Sequence, residues 1–343
     1  MVDCEKCSNF ARMNLQMFRY ITLSVVLTAA LTLLSACSDS DDAPTTAAPA
    51  EAAPQEVHFN ANVWQVMQGN RASTYDSQPA IQAETKGFKC YAYVDGSTDL
   101  YIDGSTVKYV TDHWEFQDGK HYWPMTGALN FFALMPSDLS GTCCSYSSYT
   151  EDAPIVTCAD LPVTFTRGID TTQELILAYA AQQDKAGTNS TLQPTPGQVA
   201  LTFKHPFARV RFKLSAESDG YVVVNRITIP AICRDGTCTF NGASPQSFTW
   251  SSLADNDEGI VISAPSAGQQ ATDDDAYYLV IPNNYGTKTL TINGTWTDWS
   301  NVTKDLSTSV TLNWEPGYSY TYTLTVTKYA LKVETTNTYT EQW

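Results

Sequence analysis

The sequence predicts an all-β protein built from β-sandwiches, and three observations carry that prediction. Tyr, Thr, Val, Phe and Trp are abundant and charged residues make up only 16 % of the chain, which is the composition of strands rather than helices. Apolar and polar residues alternate over short stretches, as half-buried strands require. These stretches recur at close, regular spacing with turn residues between them, the pattern of a sandwich or barrel. There is no long amphipathic helix and no short-period repeat.

The first 36 residues stand apart. Arg12 and Arg19 precede an apolar run, Ile21–Leu34, and Leu34-Ser35-Ala36-Cys37 closes it. A charged start, a short apolar stretch and small residues before a cut define a signal peptide over 1–36. The run is shorter than the roughly 20 apolar residues of a spanning helix. The four residues ending in Cys37 resemble a bacterial lipobox. That resemblance implies a diacylglycerol thioether on Cys37, a cut before it and acylation of the new amine. Several acyl chains on one residue anchor stably where one does not. The plainer alternative is an ordinary secretory signal with an incidental cysteine. The acidic run Ser38-Asp39-Ser40-Asp41-Asp42 resembles the surface-export signal of Bacteroidota lipoproteins. Residues 37–55 are rich in Ala, Pro, Thr and acid and lack aromatics, so they read as a flexible tether.

Removing residues 1–36 leaves about 300, enough for about two domains. The first is read over 56–190. Val57, Phe59, Ala61 and Val63 alternate with His58, Asn60 and Asn62, a half-buried strand within 56–68 that stops at Gly69-Asn70-Arg71-Ala72-Ser73. Phe88, Cys90, Ala92 and Val94 alternate next, followed by Asp-Gly turns at Asp95 and Asp103. Short strands are expected at 107–110, 114–116, 122–123 and 129–135, then a loop over 143–160 and a strand at 163–167. Residues 174–181 have helical propensity but no polar face, and read as a buried strand.

Gly, Asn, Ser, Thr and two prolines over 184–197 mark the boundary to a second domain, 191–343. Val199–Leu214 opens it, with strands following at 221–229, 237–240, 260–263, 277–281, 288–296, 310–314, 318–326, 331–334 and 338–343.

The formal charge is −16 for the whole chain, and the signal removes one net positive charge. An acidic chain without a basic stripe is a poor nucleic-acid binder, because phosphate neutralisation supplies most of that affinity. The nine cysteines fit an extracytoplasmic protein. Cys4 and Cys7 leave with the signal and Cys37 is the lipid site, so six remain, with 15 possible connectivities. Cys233 and Cys238 flank Asp235-Gly236, a hairpin-turn pair that would bring them together. One of the vicinal pair Cys143 and Cys144 is the expected partner of Cys158.

No catalytic constellation stands out. His58, His113, His121 and His205 form no H-E-x-x-H, and His113 beside Trp114 and His205 before Pro206 read as structural. Nucleophile-elbow, phosphate-loop and dinucleotide fingerprints are missing, and no cofactor or metal site is expected. Asp273-Asp274-Asp275 lacks EF-hand spacing and reads as a solvated loop. Trp296 and Trp299 sit in a turn-rich stretch and are candidates for exposed, sugar-stacking aromatics.

Four stretches in order resemble a known family. They are Arg71-Ala72 after the first strand; Tyr122-Trp123-Pro124-Met125-Thr126-Gly127-Ala128-Leu129-Asn130-Phe131-Phe132-Ala133; Leu201-Thr202-Phe203-Lys204-His205-Pro206-Phe207-Ala208-Arg209-Val210; and Trp314-Glu315-Pro316-Gly317-Tyr318-Ser319-Tyr320-Thr321-Tyr322-Thr323-Leu324, with a terminal Trp343. Together with the lipobox they resemble the fimbrillin family of Bacteroidota, in its Mfa-like branch, over nearly the whole mature chain.

The resemblance implies two tandem transthyretin-like sandwiches, export as an outer-membrane lipoprotein, and a non-enzymatic, surface-exposed fimbrial subunit that supports adhesion. Its partners would be other fimbrial subunits, of its own kind or paralogous, and a host or bacterial surface ligand. It also implies an assembly route. A protease cuts between Arg71 and Ala72, the strand 57–68 leaves, and the C-terminal strand of the next subunit fills the groove. The donor would lie within 331–343, with Leu331, Val333, Tyr339 and Trp343 as its apolar plugs. That segment is otherwise polar, which leaves room for an anchor, tip or accessory subunit. Asp170-Thr171-Thr172 resembles the O-glycosylation motif of these bacteria. The rival readings are a monomeric surface glycan-binding lipoprotein and a secreted hydrolase with paired carboxylates.

Overall fold

A computed structural model describes residues 53–63, 75, 77–97, 100–139, 144–148, 155–158, 164–166, 174–187, 196–218, 221–241, 247–273, 276–297 and 301–336. In chain order the elements begin with β1 (His58–Val63), helix α1 (Gln78–Gln82), β2 (Phe88–Val94), β3 (Leu100–Val110), β4 (His113–Phe116) and β5 (Leu129–Met135). Three short strands follow: β6 (Cys144–Ser148), β7 (Ile155–Cys158) and β8 (Thr164–Thr166). Then come β9 (Ile176–Gln183), β10 (Gln198–Phe203), β11 (Ala208–Leu214), β12 (Val222–Ile229), β13 (Ile232–Asn241), β14 (Ser247–Asn256) and β15 (Ile260–Ser263). The chain continues through β16 (Tyr278–Val280), β17 (Asn284–Trp296), β18 (Val302–Asn313), β19 (Ser319–Val326) and β20 (Leu331–Thr336). The all-β class expected from the sequence is what the chain adopts. Helix α1 is one short turn, started by the Ser77 hydroxyl accepting the Ala80 N–H at 3.3 Å and by Pro79 in its first turn.

Seven strands form the first sheet, in the order β10-β1-β4-β3-β2-β5-β9. Its edges meet beyond β9 and β10, where Leu177 and Lys204 exchange N–H···O bonds of 3.0 and 2.8 Å. The sheet therefore curls around one core, which holds Phe59, Phe88, Trp114, Phe116, Phe131 and Phe203. A second core lies between the sheet β16-β11-β19-β20 and the sheet β18-β17-β12-β15-β8. It includes Phe212, Ile227, Ile292, Trp296, Trp314 and Tyr322. The fourth sheet, β14-β13-β7-β6, helps form a third core. There Phe132, Leu134, Leu177 and Tyr179 meet Phe207, Phe240, Leu279 and Ile281.

That third core explains two apolar runs. β5 is buried at every position, because even-numbered residues face one core and odd-numbered residues the other. β9 does the same from Ile176 to Ala180. A strand covered on both faces loses the polar alternation of a half-buried one, so within 174–181 the residues 176–180 form a buried strand despite their helical propensity, while 174–175 precede it and Ala181 is exposed.

Several local expectations are corrected. Asp95-Gly96 is a turn between β2 and β3, but Asp103-Gly104 lies inside β3 and Asp235-Gly236 inside β13. At the latter two the glycine serves close packing. A Cβ on Gly104 would meet the Tyr91 ring at 3.0 Å, and one on Gly236 would meet Leu253 at 2.8 Å. The stretch 143–160 contains the β6–β7 hairpin rather than a loop alone. Residues 122–123 contribute an isolated bridge from Tyr122 to Glu56, not a strand. The run 199–214 divides between two sheets, β10 going to the first and β11 to the β19 sheet. From the other direction, β7 joins β13 and β8 joins β15.

Candidate functional site

Strand β1 falls within the stretch 56–68 read as a half-buried strand, and it lies inside the first sheet. It runs parallel to β10 over six register pairs, from His58 opposite Gln198 to Val63 opposite Phe203. On its other side it meets β4 antiparallel at Phe59 opposite Trp114. Its alternation puts Val57, Phe59, Ala61 and Val63 into the core, each less than a tenth exposed. Phe59 is the principal plug. Its ring packs edge-on against Phe88, Phe116 and Phe131 at centroid distances of 5.4, 5.3 and 5.9 Å.

The approach to β1 is clamped by the segment before β5. The Val57 N–H donates to the His121 carbonyl at 2.9 Å, and the Trp123 N–H donates to the Gln55 carbonyl at 2.9 Å. Lys120 pairs with Glu56 at 2.8 Å across an exposed surface. The clamp is itself held by Asp118. The Ser105 hydroxyl donates to its carboxylate at 2.7 Å, and His121 Nε2 lies 3.2 Å from the other oxygen. Burial works to raise the Asp118 carboxyl, but the hydrogen bonds from Ser105, His121 and the backbone, with the charge of His121, act against it and hold the group below the usual range.

Beyond β1 the chain is pinned again at Tyr75, four residues after Arg71. Its side chain is fully buried, its N–H donates to Glu174 at 3.3 Å and its hydroxyl donates to Glu84 at 2.6 Å. Glu174 also lies 2.5 Å from Nδ1 of His205, and both side chains are almost wholly buried. This knot ties the start of β9, the turn after β10 and the chain beyond β1 into one place. Sequence reasoning treated His205 as structural, which its burial fits, but passed over Tyr75 and Glu174. The available signal was a lone aromatic in the polar stretch 70–78.

The donor candidate divides. Leu331–Thr336 is β20, antiparallel to β19 at the edge of its sheet, with Leu331 only 7 % exposed and Val333 packed against the second core. Tyr339 and Trp343 lie outside the described residues, as do Cys37, Arg71, Ala72, Cys143, Trp299 and Asp170-Thr171-Thr172. Of the acidic triplet, Asp274 and Asp275 also lie outside them.

Two candidate roles are overturned. Trp296 is 0 % exposed in the second core, with Lys304 Nζ 4.7 Å above its ring, and offers no face to a sugar. Cys233 and Cys238 cannot bridge each other. They lie on one extended strand, five residues and so about 16 Å apart, because Asp235-Gly236 does not turn. Among the described residues no group of three or more His, Cys, Asp or Glu side chains is placed to hold a metal ion.

The chain is thus of an all-β class in which β1, the first described strand, is buried and clamped. It belongs to the fimbrillin-like family, whose model matches residues 71–343. A fimbrial protein from Bacteroides vulgatus shares the fold, with a TM-score of 0.54 at 14 % identity over 82 % of this chain and 97 % of that one. The chain is also similar, more distantly, to the tip fimbrial protein Mfa3 of Porphyromonas gingivalis (TM-score 0.41, 8 % identity, 82 % and 98 % covered). Another such likeness is to the fimbrial anchor protein Mfa2 of Porphyromonas gingivalis (TM-score 0.40, 11 % identity, 84 % and 100 % covered). No curated protein matches the chain.

Proposed function

We propose that the chain is a structural subunit of cell-surface fimbriae, exported as a lipoprotein on Cys37 and joined to its neighbours by strand exchange. The observation that carries this reading is the setting of β1. It is a single strand, bordered on both sides, that with Val57 just before it supplies four alternate plugs to an aromatic core and precedes Arg71 in the chain. Cleavage after Arg71 frees β1 at its C-terminal end. Its departure leaves β10 and β4 with unpaired edges and opens the pockets around Phe88, Phe116 and Phe131. A strand from the next subunit restores both the ladder and the packing. Tyr75 holds the new N-terminal region in place as this happens.

Within 331–343 the plugs Leu331, Val333, Tyr339 and Trp343 are all odd-numbered, so one uninterrupted strand carries them on one face. Donation of the whole segment requires β20 to leave β19, whereas donation of 337–343 alone does not. The glycan-binding alternative rested on exposed tryptophans, and the burial of Trp296 removes its best support.

N-terminal sequencing and intact mass of the protein from the cell surface test the proposal. A start at Ala72, with high-mass ladders on unboiled gels that vanish in Arg71→Ala, is the expected result. A blocked start at acylated Cys37 with monomer alone counts against polymerisation and favours an anchor subunit or a monomeric lipoprotein.

A further inference from the structure

We propose that Cys144 and Cys158 are joined by a disulfide across the β6–β7 hairpin. The two are directly opposed in antiparallel register, with Ser145 opposite Thr157 and Tyr146 opposite Val156 beside them. Opposed residues of an antiparallel pair have Cα atoms about 4.5–5.5 Å apart and lie on one face of the sheet. A disulfide needs about 4.4–6.8 Å. On its other side β7 places Cys158 opposite Gly236 of β13, which brings no side chain to that row.

Other described cysteines are poorly placed to compete. Cys238 pairs in register with Val156, two positions along β7, and Cys233 with Asp255 of β14. Cys90 is enclosed in the first core. Burial also pushes the Cys90 and Cys238 thiols far above their usual range, leaving little thiolate for exchange. The hairpin has a physical need for the bond. β6 reads Cys-Ser-Tyr-Ser-Ser and is the edge strand of its sheet, with β7 as its ladder neighbour. A cross-link between its first residue and the last residue of β7 closes the hairpin and restricts the unfolded chain.

The oxidant is an extracytoplasmic dithiol oxidase in its disulfide form. Cys144 and Cys158 give up two protons and two electrons, the S–S bond forms between them, and the oxidase leaves as its dithiol. The proposal requires an oxidising compartment but stands independently of the fimbrial reading.

The experiment uses the mature chain secreted into an oxidising compartment, alkylated under denaturing conditions without reductant, then digested and mapped by mass. The expected result is one linked peptide pair holding Cys144 and Cys158 that separates on reduction. The link persists in Cys143→Ser and is lost in Cys144→Ser and in Cys158→Ser. Reductant lowers the Tm of the natural chain by about 5 °C. Full alkylation of Cys144 and Cys158 in the unreduced natural chain overturns the proposal, as does a link from Cys158 to Cys143 or Cys238. Because the mapping is done on the natural chain, a variant that fails to fold does not decide the matter.

Discussion

Strands β1 and β20 lie near opposite ends of the described chain, and they are held in opposite ways. β1 is interior to its sheet, bordered by β10 and β4, and all its odd-numbered side chains are buried. β20 is an edge strand with β19 as its ladder partner, and it gives Leu331 and part of Val333 to the core. In the proposed exchange the deeply held strand is the one that leaves, and the lightly held one is the source of the replacement. The difference teaches why a cut would be needed. A strand with aromatic packing and two neighbours does not leave readily while covalently tethered at both ends, whereas an edge strand can detach by losing one ladder.

The largest expected effect follows from removing β1 outright. A chain beginning at Ala72 should aggregate or associate, because the groove around Phe88, Phe116 and Phe131 is then open. A peptide covering 56–68 added during refolding should restore the monomer. A stable, monomeric 72–343 chain without any peptide would show that β1 is dispensable and sink the groove model. Next in size, Phe59→Ala should cost about 3–5 kcal/mol in chemical denaturation, since it empties the centre of the aromatic cluster. Leu331→Ala, at the start of β20, should cost about 2–3 kcal/mol. If the two losses came out equal, the contrast between the strands would be wrong.

Much of this contrast was legible in the letters. The alternation Val57, Phe59, Ala61, Val63 places β1, and Leu331 with Val333 places the start of β20. What the letters did not carry was neighbourhood. Asp-Gly has the same local preference at 95, 103 and 235, yet only the first turns. At 103 the strand bulges against β2, with Gly104 at φ 64°, and at 235 the ladders to β7 and β14 carry the strand through, while Gly104 and Gly236 make room for Tyr91 and Leu253. Trp296 looked exposed because its flanks are polar and turn-rich, but a strand end alternates like any strand, and its inward position faces a core. The Tyr75, Glu174 and His205 knot was illegible because its members are as much as 130 residues apart and meet only when the first sheet curls closed.

A smaller difference sharpens the comparison at the weak end. Val333→Ala should cost about 1 kcal/mol or less, since that side chain is only partly covered. Amide exchange along β19 should then rise more than exchange at Val57 or Trp123.

The smallest effect concerns acid, and it should fall on the β1 side alone. Asp118 is held below its ordinary range, so its folded form keeps the carboxylate where the unfolded chain would take up a proton. Its contribution is therefore present above the unfolded carboxylate value and lost as the pH falls through the lower, folded one. The side chain is about half exposed to solvent, so screening keeps the effect small, and the Tm should change by about 1 °C at most. The sensitive readout is local. At pH 7, Asp118→Asn should speed exchange of the Val57 and Trp123 amides, whose partners His121 and Gln55 form the clamp. Below the folded carboxylate value the natural chain and the variant should converge, because Asp118 is then neutral in both. Amides of β19 should show no such difference at either pH. A variant effect that persisted in acid would mean that Asp118 acts by shape rather than charge, and that the hold on β1 does not loosen with protonation.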